Sequence, residues 1–147
     1  MSTYSHIVIK SWKLLLYCVL LTACSNNEYK TSTTSNQISA QLESNQFASI
    51  DFSKLAGQQW TKVCFLGPYN ENSAKVLGFN WQVSDHTPVL KSDSYNVIIF
   101  ATDTKVIEYV THRRDQGDFW QWSGQCLPRE SATLIRDHQN GHWKNYK

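Results

Sequence analysis

A chain of 147 residues with 14 lysines and arginines against 12 aspartates and glutamates has the length of one domain and a formal charge of only +2. So small an excess gives no electrostatic footprint for DNA or RNA, and a nucleic-acid partner is not expected. Residues 1–13 carry Lys10 and Lys13 and no acid, and 14–21 (LLLYCVLL) form an unbroken apolar run. A basic stretch, a short apolar stretch and then small residues is the layout of a secretory signal. The run is far below the roughly 20 apolar residues that a membrane-spanning helix needs.

The small residues end in Leu21-Thr22-Ala23-Cys24. This resembles the lipobox of bacterial lipoproteins, in which a leucine and two small residues precede a cysteine. The resemblance implies that the Cys24 thiol is joined to a diacylglycerol, that residues 1–23 are cut away as a signal peptide, and that the new amino group is acylated. A thiol suits the first step because thiolate is a strong nucleophile. Cys24 is thus the expected lipidation site, and the membrane an expected partner through its lipid. Ser25 follows where inner-membrane lipoproteins of that family carry aspartate. In a Gram-negative cell the resemblance implies the outer membrane, facing the periplasm; in a Gram-positive cell, the outer face of the plasma membrane. Cleavage removes 23 of 147 residues and leaves 124; it also removes two of 14 basic residues, so 12 remain against 12 acids. The mature domain is neutral.

Residues 24–36 form the anchor and a tether. The stretch 25–36 (SNNEYKTSTTSN) is polar and without apolar periodicity, reading as flexible chain with a reach on the order of 20 Å. The globular domain is expected over 37–147. Ile38 and Leu42, four apart, predict a short helix near 37–46. Residues 60–66 (WTKVCFL) predict a strand that stops at Gly67-Pro68. Asn70 is placed to cap a helix over 71–77, with Gly78 at its left-handed C-terminal position. Phe79, Trp81 and Val83 alternate, as the buried face of a strand would.

Residues 95–102 (YNVIIFAT) are apolar on both faces and predict the central strand; Asp103-Thr104 turns it into a partner over 105–112. Further strands are predicted at 118–122, 131–139 and, after an Asn140-Gly141 turn, 142–146. Tight turns between consecutive strands mean antiparallel pairing. The expected fold class is α+β: one small domain, an antiparallel β-sheet with one or two short helices.

Cys18 leaves with the signal peptide and Cys24 takes the lipid, so Cys64 and Cys126 remain in an oxidising compartment. The expectation is a Cys64–Cys126 disulfide, worth about 4 kcal/mol in the chain-entropy model. The alternatives are two buried thiols or a metal site. The absence of histidines at finger spacing speaks against zinc. His138-x-x-x-His142 has metal spacing on a helix, but Asn140-Gly141 between them argues for a turn, and no third ligand is near. Asp85-His86 and Ser123-Gly124 could be triad fragments, yet no nucleophile-elbow pattern surrounds Ser123. Phosphate-binding and metalloprotease motifs are missing. No catalytic residue, metal or cofactor is assigned, and the chain is not expected to be an enzyme.

HRRDQGDFWQW (112–122) is the densest feature. Its aspartates can pair the arginines and its rings can pack on the sheet, which is a purely structural use. Arg and Trp are also favoured hot-spot residues, which makes Arg113, Arg114, Trp120 and Trp122 a candidate binding patch. Strand alternation would put Trp120 and Trp122 on one face and Phe119 in the core, with at least one indole partly exposed.

CFLGPYN (64–70), LGFNW (77–81), the VIIFATDTKVIEYV hairpin and the Arg114–Phe119 stretch together resemble small bacterial lipoproteins and secreted proteins that carry no assigned activity. The likeness covers roughly 60–120 and implies a shared fold type only. Two functions follow as expectations: a non-catalytic envelope lipoprotein that binds an envelope protein partner, or a module that binds cell-wall glycan or another small molecule through an exposed indole. A flat apolar patch would favour the first, and a groove with one exposed ring the second.

Overall fold

The computed structural model describes residues 31–146; the expected signal peptide, the expected lipidation site Cys24 and residues 25–30 of the expected tether lie outside the described residues. Ser32 opens the first element. Its hydroxyl accepts a hydrogen bond from the Ser35 backbone N–H at 3.1 Å, and helix α1 runs over Thr33–Ser44. It begins before the expected start at 37, so 33–36, read as tether, are its first turn. A polar Ser/Thr run hides a helix start because the cap and the exposed first turn use the same residue types. Ile38 and Leu42 are fully buried, as their spacing predicts, with Thr34 and Ser35 beside them.

Seven strands follow: β1 (Ser49–Asp51), β2 (Lys62–Leu66), β3 (Tyr95–Ala101), β4 (Val106–Arg113), β5 (Cys126–Pro128), β6 (Thr133–Arg136) and β7 (Trp143–Asn145). They make two antiparallel sheets among the described residues, ordered β1-β6-β7 and β4-β3-β2-β5. The fold class is α+β, weighted towards β. β3 lies inside the four-stranded sheet and buries both faces. Ile98 and Phe100, with Val63 and Phe65 of β2, share a core with α1, Phe52, Phe119, Leu134 and Trp143. Val97 and Ile99, with Cys64 and Leu66, line a second core on the opposite face. Period-two alternation accounts for this sorting.

The second core is covered by the stretch between β2 and β3. Helix α2 there spans Ser73–Leu77 and ends at Gly78 in the left-handed region (φ 82°). Asn70 does not cap it. Its side chain instead accepts from the Asn72 N–H (3.2 Å), an Asx turn that delays the helix start. The strand expected through Phe79, Trp81 and Val83 is also absent. Val83 begins a 3-10 turn over Val83–Asp85, and its N–H is taken by the Ser73 hydroxyl (2.8 Å) rather than by a neighbouring strand.

Cys64 and Cys126 are bonded, facing each other on β2 and β5 with Cα atoms 4.0 Å apart. The bond ties the edge strand β5 to the sheet interior. No helix among the described residues is long and apolar enough to cross a membrane.

Candidate functional site

The segment expected to be a strand at 118–122 is instead a 3-10 turn, Trp120–Trp122, preceded by another over Arg114–Gln116. The Asp118 carboxylate causes this. Its Oδ1 accepts the Trp120 backbone N–H at 3.0 Å, which bends the chain locally and takes the donor that a sheet ladder would need. Arg114 holds that carboxylate from the other side, with Nε to Oδ1 at 2.9 Å and Nη2 to Oδ2 at 2.7 Å. The pair raises the Arg114 pKa above its ordinary value. Arg113 pairs Asp115 in the same two-pronged way, and that hydrogen bonding holds the Asp115 carboxyl below its usual range.

The turn separates three aromatic side chains. Phe119 is fully buried, with its ring centroid 5.5 Å from Phe52 and 5.6 Å from Trp143. Trp122 is half-buried, against Phe65 at 6.2 Å, and donates from Nε1 to the Trp143 carbonyl. Trp120 is 55 % exposed. Phe119 in the core and one exposed indole agree with the expectation, but the shared face for Trp120 and Trp122 does not, because it assumed strand alternation.

Trp120 lines a cleft of about 470 Å³ between two walls. One wall comes from the Arg114–Gln121 stretch; the other is the β6–β7 hairpin, which contributes Arg136, Asn140, His142 and Trp143, and Phe47 also lines the cleft. Trp143 fastens the walls together. Its indole N–H donates to the Asp118 carbonyl (2.9 Å), and its backbone N–H donates to Gln121 Oε1 (3.1 Å). Of the candidate patch, Arg114 and Trp120 meet in this cleft. Arg113 faces a smaller depression of about 280 Å³ with Ser94 and Tyr95, and Trp122 belongs to the core wall. Arg136, Asn140 and His142 were missed as site residues. The signal available was the Asn140-Gly141 turn, read only as a hairpin connection.

Beneath the first wall lies a buried polar set. Ser35 Oγ is 2.9 Å from His112 Nδ1, and both residues are fully buried. A Ser–His contact has the geometry of an activated nucleophile, but no surface of either group is open to a substrate. Here it fastens α1 to β4. Burial pushes the His112 pKa down to about 4, against weaker opposing effects of the Gln116 carbonyl and the Asp115 charge. Gly117 crosses over this set. A Cβ there would come within 2.6 Å of Leu42 Cδ1 and 2.9 Å of His112 Nε2, so the crossing requires glycine.

A second aromatic surface lies on the far face of the four-stranded sheet, where Trp81 stacks on His86 at 4.6 Å and 9° with Tyr109 alongside. These rings cap the second core. His138 and His142 are both exposed on the β6–β7 turn, and the described residues hold no group of three potential metal ligands.

Compared with protein-family models, with curated proteins and with solved structures, the chain matches none.

Proposed function

We propose that the protein is an exported, lipid-anchored, non-catalytic binding domain whose recognition site is the cleft beside Trp120, and that its ligand is a saccharide of the cell envelope. The observation that carries this is a groove with one exposed ring. Its volume of about 470 Å³ falls inside the roughly 300–1,000 Å³ usual for small-ligand sites. An indole offers a flat apolar face on which the C–H groups of a sugar ring can lie, while polar side chains around it meet the hydroxyls. Asp118, Arg114 and Trp143 hold the cleft walls before any ligand arrives, which lowers the ordering cost of binding. An envelope protein partner is the less supported alternative. Among the described residues only Tyr69, Trp120, Ile135 and Tyr146 are exposed large hydrophobics, and four scattered side chains do not make a contiguous apolar patch of the size that marks a protein-docking face.

Export and anchoring rest on the Leu21–Cys24 motif behind its basic, apolar leader. Cys24→Ala is expected to leave an unprocessed precursor, read by mass spectrometry of the membrane fraction. A wild-type N-terminus elsewhere, or one without acyl mass, rejects the anchor. Crosslinking of the native protein in its own envelope tests the ligand. Envelope glycan should be recovered with the wild type and lost with Trp120→Ala. Recovery of one protein in stoichiometric yield without glycan contradicts the saccharide reading.

A further inference from the structure

We infer that the cleft selects a saccharide bearing a carboxylate, and that Arg136 is the residue that reads the charge; this rests on the saccharide reading above and specifies its ligand class. Three charged pairs or contacts decide the balance. Arg113 is closed by Asp115, and Arg114 by Asp118, with the remaining Arg114 Nη1 donating to the Asp93 carbonyl at 2.7 Å. Arg136 has no carboxylate within ion-pair distance among the described residues. Its Nε donates to the Gly141 carbonyl at 3.1 Å, which fixes the planar group, and the guanidinium stands 5.9 Å from the Trp143 ring centroid. Among the described residues, Arg136 is therefore the one lysine, arginine or carboxylate side chain of the cleft lining without an ion-pair partner.

The hydrogen-bonding groups left over point the same way. Gln121 spends its side-chain oxygen on the Trp143 N–H (3.1 Å), which leaves its amide nitrogen as the open end. Asn140 spends its oxygen on the His142 N–H (2.9 Å), which likewise leaves the nitrogen. Asp118 has both oxygens engaged by Arg114 and one also by the Trp120 N–H. Lining groups without a hydrogen bond thus include three donors, the two amide nitrogens and the Arg136 Nη groups, beside the His142 ring. A neutral sugar hydroxyl can accept from these donors but brings no charge to set against Arg136. A carboxylate only accepts, and a guanidinium engages it through two parallel hydrogen bonds. A sugar ring on Trp120 that carries an acidic substituent satisfies both the indole and the donors.

The matched probes are the N-acetylglucosaminyl–N-acetylmuramic acid disaccharide, with its lactyl carboxylate free, and N,N′-diacetylchitobiose (below, chitobiose), which lacks that substituent. Calorimetric titration of the full chain in detergent should give at least about tenfold tighter binding of the acidic disaccharide, the scale of one charge-assisted pair. Arg136→Gln should bring the acidic disaccharide down to about the affinity of chitobiose, with the unfolding midpoint checked alongside. Equal binding of the two probes, or a preference that survives Arg136→Gln, overturns the inference and leaves the saccharide reading standing. Inorganic phosphate competing as strongly as the disaccharide reduces the site to a bare-anion site and also overturns it. No binding of either probe removes both.

Discussion

Arg114 grips Asp118 through two parallel hydrogen bonds of 2.9 and 2.7 Å, and the same carboxylate takes the Trp120 backbone N–H at 3.0 Å. The ion pair therefore sets the direction in which an exposed indole leaves the chain. Asp118→Ala is expected to cost only about 1 kcal/mol of stability, as half-exposed pairs and caps do. Its effect on ligand affinity should be larger, because the Trp120 turn loses its brace. Urea unfolding and calorimetry on one sample check this; equal losses in both would make Asp118 a stability residue only.

Adjacent aromatics should behave oppositely. Phe119→Ala opens the core between Phe52, Phe65 and Trp143 and is expected to cost about 3–5 kcal/mol. Trp120→Ala should leave stability within about 0.5 kcal/mol, as for ordinary surface changes. Denaturant midpoints decide the comparison. A large loss at Trp120 would show the indole to be part of the scaffold.

His112 gives a pH dependence with a definite sign. Its pKa is about 4 in the fold, against 6.5 in the unfolded chain. Above 6.5 both states are neutral and the group contributes no pH dependence. Between 6.5 and 4 only the unfolded chain takes up the proton, so stability falls as pH falls, at up to about 1.4 kcal/mol per pH unit. The total is about 3 kcal/mol by pH 4, below which both states are protonated. The Gln116 carbonyl and the Asp115 charge act on His112 in the opposite direction and are outweighed by burial. Unfolding midpoints over this range should slope for the wild type and flatten for His112→Gln. A wild-type curve level from pH 6.5 to 4.5 contradicts the burial of a neutral imidazole.

The Cys64–Cys126 bond closes a sequence separation of 62 residues. Ellman titration of the denatured, unreduced protein should therefore find no thiol from this pair. Cys126→Ser should cost about 2–5 kcal/mol, the usual range for loss of a native disulfide from a small domain. Two titratable thiols would contradict the pairing.

What the sequence made legible was strong local periodicity. The β3–β4 hairpin, the stop at Gly78 and the Asn140-Gly141 turn each follow from residues adjacent in the chain. Strands β1 and β5, three residues each, exist through pairing with β6 and β2, and so leave almost no local signal. The cleft was half legible. Arg114 and Trp120 stand out in HRRDQGDFWQW, but Arg136 and His142 join them only because Trp143 fastens the hairpin to Asp118 and Gln121. The error at 118–122 has one physical source. A carboxylate two residues before Trp120 competes with sheet hydrogen bonding, and apolar alternation does not register that competition.

The cleft itself is tested most directly by nitrogen–proton correlation spectra of the full chain, in which each tryptophan indole N–H gives its own signal. On titration with the acidic wall-glycan disaccharide, the Trp120 and Trp143 indole signals and the Arg136 side-chain N–H signal are expected to shift. Unmoved cleft signals, or movement confined to Trp81 beside His86 and Tyr109, would contradict the cleft as the binding site.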